Sequence, residues 1–188
     1  ELRTTQLANG EKESVSSHTW MMSLMAIVFA PLLRASVNME RVLKLCTVHD
    51  LAESIVHDIP LHEQVKNSDI CKTKCECELA AIKKICGWAD NAELLALWKE
   101  YEARQTPESR FVKQLDLLDV DLQMMCSRTL DYVGEYDDGI YWKMYFSEKR
   151  AMPFADEPVL MKFFLAIRAE IESRMRTELR INPDIYKN

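Results

Sequence analysis

The feature that most constrains this chain is the spacing of its apolar residues, which recur every three or four positions along most of the sequence. That spacing is typical of amphipathic α-helices and differs from the alternation expected of half-buried strands. Only four Gly and six Pro occur in 188 residues, too few for the turns of an all-β fold. The sequence therefore predicts an all-α fold without a strand ladder: one domain over residues 1–188, with roughly six or seven helices.

Local signals predict where several helices begin and end. Ser14 or Ser16 is expected to cap a helix over residues 14–33, and Asn38 to cap a helix over residues 39–56. Gly87 is a suitable residue to end a long charged helix. The remaining helices are expected at residues 68–86, 90–104, 107–125 behind Thr106 as N-cap, and about 156–180, before Pro183.

The last of these helices carries an apolar stripe, which we expect to pack on the core or on a second subunit. Its members share one helix face and are Leu160, Phe163, Phe164, Ile167, Ile171 and Met175. The apolar surplus on the helices also favours a homodimer.

Charge and hydropathy exclude two kinds of partner. The net charge of −6 argues against a nucleic acid polymer, because binding one requires clustered Lys and Arg. The longest apolar run, residues 20–33, is too short to span a bilayer and is interrupted by Pro31, so no membrane partner is expected. We interpret this run as a buried helix.

Three closely spaced cysteines, Cys71, Cys75 and Cys77, resemble a metal cluster at first sight. Their spacing is not Cys-x-x-Cys, and on a helix Cys75 and Cys77 are about 200° apart around the axis. We therefore interpret them as free thiols that share no metal and form no disulfide. Free thiols indicate a reducing compartment, which predicts a cytoplasmic location.

The segment TVHDLAESIVHDIP, residues 47–60, contains the pair His-Asp twice, at positions 49–50 and 57–58. His49 and Asp50 are expected on the second helix, with His18 on the first and Asp116 on the helix behind Thr106. Singly, such residues are usually structural histidines and solvated aspartates. Two imidazoles and two carboxylates together form a mixed nitrogen and oxygen set, which suits one divalent ion such as Mn, Co, Fe, Ni or Zn.

The order His…His-Asp…Asp resembles the signature of the HD-domain metal-dependent phosphohydrolases. Further segments resemble the small 5′-deoxynucleotidase branch of that family: ESVSSH (13–18), VHDLAESIVHDIP (48–60), LWKEYE (97–102) and TPESRFVKQLD (106–116). The motif-bearing core covers about residues 10–130. The resemblance implies a single HD domain. It assigns metal binding to His18, His49, Asp50 and Asp116, catalysis to Glu53 and Asp58, and a place near the substrate phosphate to Arg3.

The chain departs from the family pattern at three positions. Ser17 replaces an acidic residue before the first His, Gln6 replaces a Trp, and His57 replaces a Gly. A Gly at position 57 would suit a left-handed backbone, so His57 is interpreted as a conformational substitute. Lys113 lies one turn before the last ligand, where it could either touch the substrate phosphate or pair with a site carboxylate.

The resemblance implies hydrolysis of deoxynucleoside 5′-monophosphates to deoxynucleoside and phosphate, with Glu53 managing a proton. A small-molecule nucleotide is therefore the expected partner. Two alternatives remain open. One is another HD-type nucleotide phosphohydrolase, acting on a triphosphate or a cyclic diester; the few basic residues near the site disfavour a triphosphate. The other is a non-catalytic helical module that binds a nucleotide or a partner and keeps a vestigial site.

Overall fold

The computed structural model describes residues 2–7, 9–56, 68–126 and 139–187, without the side chains of Thr4, Gln6 and residues 68–73. The fold is mainly helical, as predicted. The longer helices are α1 Val15–Phe29, α2 Met39–Val48, α4 Ser68–Ala89, α5 Glu93–Ala103, α6 Pro107–Cys126, α7 Ile140–Phe146 and α9 Pro158–Thr177. Two four-residue helices, α3 Glu53–Val56 and α8 Glu148–Ala151, raise the number slightly above the six or seven predicted.

A two-stranded sheet at the start of the chain contradicts the prediction that there would be no strand ladder. Strand β1 is Leu2–Gln6 and strand β2 is Lys12–Ser14. The turn between them contains Gly10 at φ +84°, a left-handed conformation that glycine adopts without strain. Strands of five and three residues are too short for their periodicity to be read from the sequence.

The chain forms two compact units. The first comprises residues 1–4 and 13–116, and the second comprises residues 5–12 and 117–188. The expectation of one domain over the whole chain stays a prediction.

In the first unit, α1 packs on α2, α2 on α5, and α4 on both α3 and α5. The predicted caps of the first two helices are confirmed, since Ser14 accepts from the Ser17 amide and Asn38 from the Arg41 amide. The core between these helices consists of apolar side chains that are almost fully buried. Examples are Met22, Met25, Phe29, Val42, Leu45, Ile82, Leu97 and Trp98.

One face of α1 is exposed, so the interpretation of the first apolar run as a buried helix is only half right. Trp20 is 64% exposed, Ile27 59% and Val28 53%. Together with Leu24 they form a stripe at helical spacing, which we call the α1 apolar face. Residues Val15–Leu32 are long and apolar enough to cross a membrane by length and composition, a test that core helices of globular proteins also pass.

Two predicted helix boundaries were wrong. The helix predicted over residues 39–56 ends at Val48, and the chain makes tighter turns before α3 begins. In these turns the amides of Leu51 and Glu53 each bond to the carbonyl three residues earlier. Helix α4 passes through Gly87 and ends at Ala89, and the next residue, Asp90, takes the left-handed conformation with φ +48°.

In the second unit, the predicted stripe on α9 packs in the core, as expected. Leu160, Phe164 and Ile171 are completely buried, and the ring of Phe164 stacks on Phe154 at 4.9 Å. The Arg150 guanidinium pairs with the buried carboxylate of Asp121.

Candidate metal centre

Four side chains that the sequence selects as ligands converge in the first unit. His18 lies in the first turns of α1 and is completely buried. His49 is the C-cap of α2 rather than a residue within it, and Asp50 lies in the following turn. Asp116 is carried by α6. The end of α2 therefore brings His49 and Asp50 to the same site. The prediction that both residues lie within the second helix was wrong, because α2 ends at Val48.

The distances between the potential ligating atoms are those of a metal site. The Nε2 atoms of His18 and His49 are 3.2 Å apart. The Nε2 of His18 is 3.3 Å from an oxygen of Asp116 and 3.8 Å from one of Asp50. The Nε2 of His49 is 3.2 Å from that Asp50 oxygen. Ligand atoms that each lie about 2.0–2.2 Å from one ion are separated from one another by distances similar to these four.

The hydrogen bonding of His49 fits this interpretation. Its Nδ1 lies 2.8 Å from the carbonyl oxygen of Cys46, which can only accept a hydrogen bond. The proton of a neutral His49 ring therefore resides on Nδ1, and the lone pair of Nε2 points to the other three side chains. This arrangement is the usual one for a histidine that binds a metal through Nε2.

Both aspartates are held as carboxylates. In the metal-free site, burial acts to raise the pKa of Asp50, but the charge and hydrogen bond that His49 supplies when its ring is charged outweigh it and lower the pKa to about 2. Burial likewise acts to raise the pKa of Asp116, whereas the charge of Lys113 and the bond to His18 hold it well below its ordinary value. With the Nε2 lone pairs given to a metal instead, two neutral imidazoles and two carboxylates match the ligand preferences of a borderline divalent ion.

The second oxygen of Asp116 has partners that orient the carboxylate. The hydroxyl of Tyr101 donates to Oδ2 over 2.9 Å, and the ammonium of Lys113 over 2.6 Å. Of the two roles considered for Lys113, the structure shows the pairing with a site carboxylate. Burial, followed by the charge of Asp116, raises the pKa of Tyr101 well above its ordinary value, so its hydroxyl remains a donor.

Tyr101 is a site residue that the sequence analysis did not select. It lies on α5, is 4% exposed, and meets the His49 ring edge-on with the ring centroids 5.1 Å apart. In LWKEYE, Trp98 and Tyr101 are three residues apart, a spacing that predicts a shared buried face but not the contact of Tyr101 with a ligand.

The predicted catalytic residue Glu53 is the first residue of α3 and is 6% exposed. Its Oε1 lies 3.3 Å from the ammonium nitrogen of Lys74 on α4. The same nitrogen lies 3.4 Å from Oε1 of Glu78. Lys74 and Glu78 were also not selected from the sequence.

Arg3, expected near the substrate phosphate, lies on β1 and is 8% exposed. Its guanidinium donates to the carboxylate of Glu13 over 3.0 Å and lies 3.8 Å from Asp116. Glu13 is completely buried and was not singled out in the sequence. One positive charge therefore lies at the edge of the ligand cluster.

The remaining predicted positions are only partly described. Ser17 is exposed in the first turn of α1, and its hydroxyl lies 2.8 Å from that of Ser14. Asp58, His57 and the side chain of Gln6 lie outside the described residues. Of the three cysteines, Cys75 and Cys77 are exposed free thiols on α4, and the side chain of Cys71 is not described.

Residues 1–144 match the family model described as HD domain. The chain belongs to the HD-domain family. In this HD domain, His18, His49 and Asp116 lie close enough together to hold one ion, with Asp50 beside the two histidines, which suggests a divalent metal whose identity is not determined.

Several relatives of this HD-domain chain are named 5′-deoxynucleotidases. The protein from Danio rerio is 40% identical over 116 residues, which are 60% of this chain and 54% of that protein. The Schizosaccharomyces pombe protein is 33% identical over 127 residues, covering 65% and 63%. The Homo sapiens protein is 37% identical over 129 residues, covering 67% and 55%. The chain thus spans less than two thirds of the length of each of these relatives.

Solved structures with the same fold cover more of the HD-domain chain. A predicted metal-dependent phosphohydrolase from Magnetospirillum magnetotacticum aligns with a TM-score of 0.67 and 26% identity, over 93% of this chain and 86% of that one. The PH0347 protein from Pyrococcus horikoshii aligns with a TM-score of 0.61 and 26% identity, over 85% of each chain.

Proposed function

We propose that this HD-domain chain is a metal-dependent 5′-deoxynucleotidase, which hydrolyses deoxynucleoside 5′-monophosphates to deoxynucleoside and phosphate. The observation that carries the proposal is the cluster in which Asp50 and Asp116 lie within 3.2–3.8 Å of the paired His18 and His49 rings. The names of the relatives support the substrate class, and the phosphohydrolase structure supports the reaction type. Mn, Co, Fe, Ni and Zn all suit this ligand set.

The proposed reaction requires little covalent chemistry from the protein, because positioning and charge neutralisation contribute most of the catalysis of phosphoryl transfer. A divalent ion held by the four ligands supplies Lewis-acid polarisation of the phosphate. Glu53 moves a proton, either from the attacking water or to the leaving oxygen. Arg3 and Lys113 place positive charge beside the phosphate, and Asp58 is proposed as a further site carboxylate.

The proposed substrate-binding role of Arg3 requires some rearrangement of its contacts. Its guanidinium is partly neutralised by Glu13, which leaves the second nitrogen, 3.8 Å from Asp116, directed at the ligand cluster. Guanidinium groups commonly bind phosphate oxygens in a bidentate way, so an exchange of these contacts would bring Arg3 to the substrate. Lys113 is less buried, with 26% of its side chain exposed, and can approach a substrate from the solvent side.

The test combines metal analysis with a phosphate-release screen on the purified protein. Deoxynucleoside monophosphates are expected to release phosphate, chelation to abolish this release, and a divalent ion to restore it. Release only from a triphosphate or a cyclic diester would assign the chain to another HD-type activity. A metal-loaded protein that releases no phosphate from any nucleotide would be a non-catalytic module.

A homodimer formed through the α1 apolar face is also proposed. The face is continuous at helical spacing, and residues 15–33 contain no Asp, Glu, Lys or Arg that would require a charged partner. Light scattering on the purified protein is expected to give twice the chain mass, and Ile27→Glu to give the monomer. Leu165→Glu, at an apolar residue that is 50% exposed on α9, is the matched control and should leave the dimer intact. A monomeric parent protein would refute this assembly.

A cytoplasmic location is proposed from the thiols. Cys75 and Cys77 lie exposed on α4 as free cysteines, a state that a reducing compartment maintains. Fluorescence microscopy of the tagged full-length protein tests this location, and secretion would contradict it.

A further inference from the structure

The proposed catalytic carboxylate has a cation beside it that comes from a different helix. Lys74 on α4 places its ammonium nitrogen 3.3 Å from Glu53, and 3.4 Å from Glu78, which is one turn further along α4. The side chain of Glu53 is 7% exposed, that of Glu78 12%, and that of Lys74 19%. These three side chains form a small, mostly buried charge cluster next to the ligand residues.

The burial of Glu53 makes its counter-charge important. A buried carboxylate is costly unless it is paired. The contact between Lys74 and Glu78 lies within a single helix. The contact with Glu53 is different, because it connects α4 to the residue that opens α3, three residues after Asp50.

We infer that Lys74 is a positioning residue that holds the Glu53 carboxylate in a fixed orientation for proton transfer in the proposed hydrolysis. The inference rests on the proposed function. Lys74 bridges two carboxylates, so the cluster of Glu53, Lys74 and Glu78 keeps a net charge of −1. Asp50, on the chain leading to α3, adds a further negative charge that makes the cation more necessary.

The experiment compares Lys74→Met, which removes the charge, with Lys74→Arg, which keeps it. Lys83→Met, at an exposed lysine of the same helix, is the matched control. Without the Lys74 ammonium the Glu53 carboxylate loses the contact that fixes its orientation, so the chemical step should slow while substrate binding stays the same. For Lys74→Met we therefore expect a fall in kcat of about tenfold, an unchanged KM and unchanged metal content.

Lys74→Arg should restore most of the parent kcat, and Lys83→Met should match the parent throughout. A kcat that does not fall in Lys74→Met would overturn the inference. So would a raised KM with unchanged kcat, because that result would place Lys74 on the substrate rather than on Glu53.

A readout without catalysis separates this inference from the proposed function. Carboxyl-carbon NMR of the metal-free protein at neutral pH can report the surroundings of the Glu53 carboxylate, with the resonance assigned by its loss in Glu53→Gln. The chemical shift of this resonance should change in Lys74→Met and stay in place in Lys83→Met. An inactive parent protein with this shift refutes the nucleotidase alone, whereas an active parent without it refutes the role of Lys74.

Discussion

The hydroxyl of Tyr101 donates a hydrogen bond to Asp116 over 2.9 Å, while the edge of its ring meets the ring of His49. One aromatic residue on α5 therefore contacts two proposed metal ligands that come from different parts of the chain. Side chains that orient ligands in this way usually affect metal affinity without contacting the metal.

Tyr101→Phe should weaken metal binding by about 10–100-fold, because the ring remains but Asp116 loses a donor. Equilibrium titration of the metal-free protein against a competing chelator measures this change. Tyr186→Phe, the same substitution in the second unit, is the control and should leave the affinity unchanged. Equal affinity of the parent and Tyr101→Phe would show that the hydrogen bond does not orient the ligand.

Glu53→Gln and Asp50→Asn should separate catalysis from metal binding. Glu53→Gln should keep its metal and lose about 10²–10⁴-fold in kcat, as is typical when a general acid or base is removed. Asp50→Asn should lose metal and activity together, since an amide is a weaker ligand than a carboxylate. Metal content and phosphate release are measured on both variants. A Glu53→Gln protein as fast as the parent would refute the assigned proton transfer.

The low pKa of Asp50 predicts acid-sensitive stability in the metal-free protein. Because the folded pKa of about 2 lies below the unfolded value of 3.8, the stabilisation is complete above that value and is lost as the pH falls towards 2. Urea denaturation with a chelator present, at pH 5 and at pH 2.5, should show a smaller pH dependence in Asp50→Asn than in the parent. Asp156→Asn, at an exposed aspartate, should match the parent.

Gly139→Ala should destabilise the second unit for two separable reasons. Gly139 has φ +77°, and a Cβ there would lie 2.5 Å from the ring of Tyr186. Gly10, at φ +84° with nothing within 4 Å of the added Cβ, isolates the backbone cost, which exceeds about 1 kcal/mol. The melting temperature of Gly139→Ala, measured by thermal denaturation, should therefore be lower than that of Gly10→Ala. In a Tyr186→Ala background this difference should disappear, and its persistence would point to a cause other than the ring contact.

Much of the helical architecture could be predicted because the local signals agree with the packing. Ser14 and Asn38 cap the two helices that they were predicted to cap. The stripe from Leu160 to Met175 packs in a core, as its spacing predicted. The break after Val48 could not be predicted, because no Gly or Pro occurs between residues 38 and 56. There the chain switches to three-residue turns beside the ligand cluster, which is a tertiary effect.

The proposed ligands could be selected from sequence because residue type and order carry the signal. Their supporting residues could not be selected in the same way. Tyr101, Lys74 and Glu13 are ordinary helix or strand residues whose importance depends on what they contact. Those contacts are made between elements, and the periodicity of one element does not report them.

His18 and His49 meet at 3.2 Å although 31 residues separate them, and Asp116 joins them from much further along the chain. A shared ion would therefore act as a removable cross-link between three distant points of the backbone. Closing these loops lowers the conformational entropy of the chain. A cross-link that holds the loops closed should therefore slow unfolding. Unfolding kinetics should thus depend on the metal far more steeply than on any single side chain, and proteolysis should be fastest in chelator.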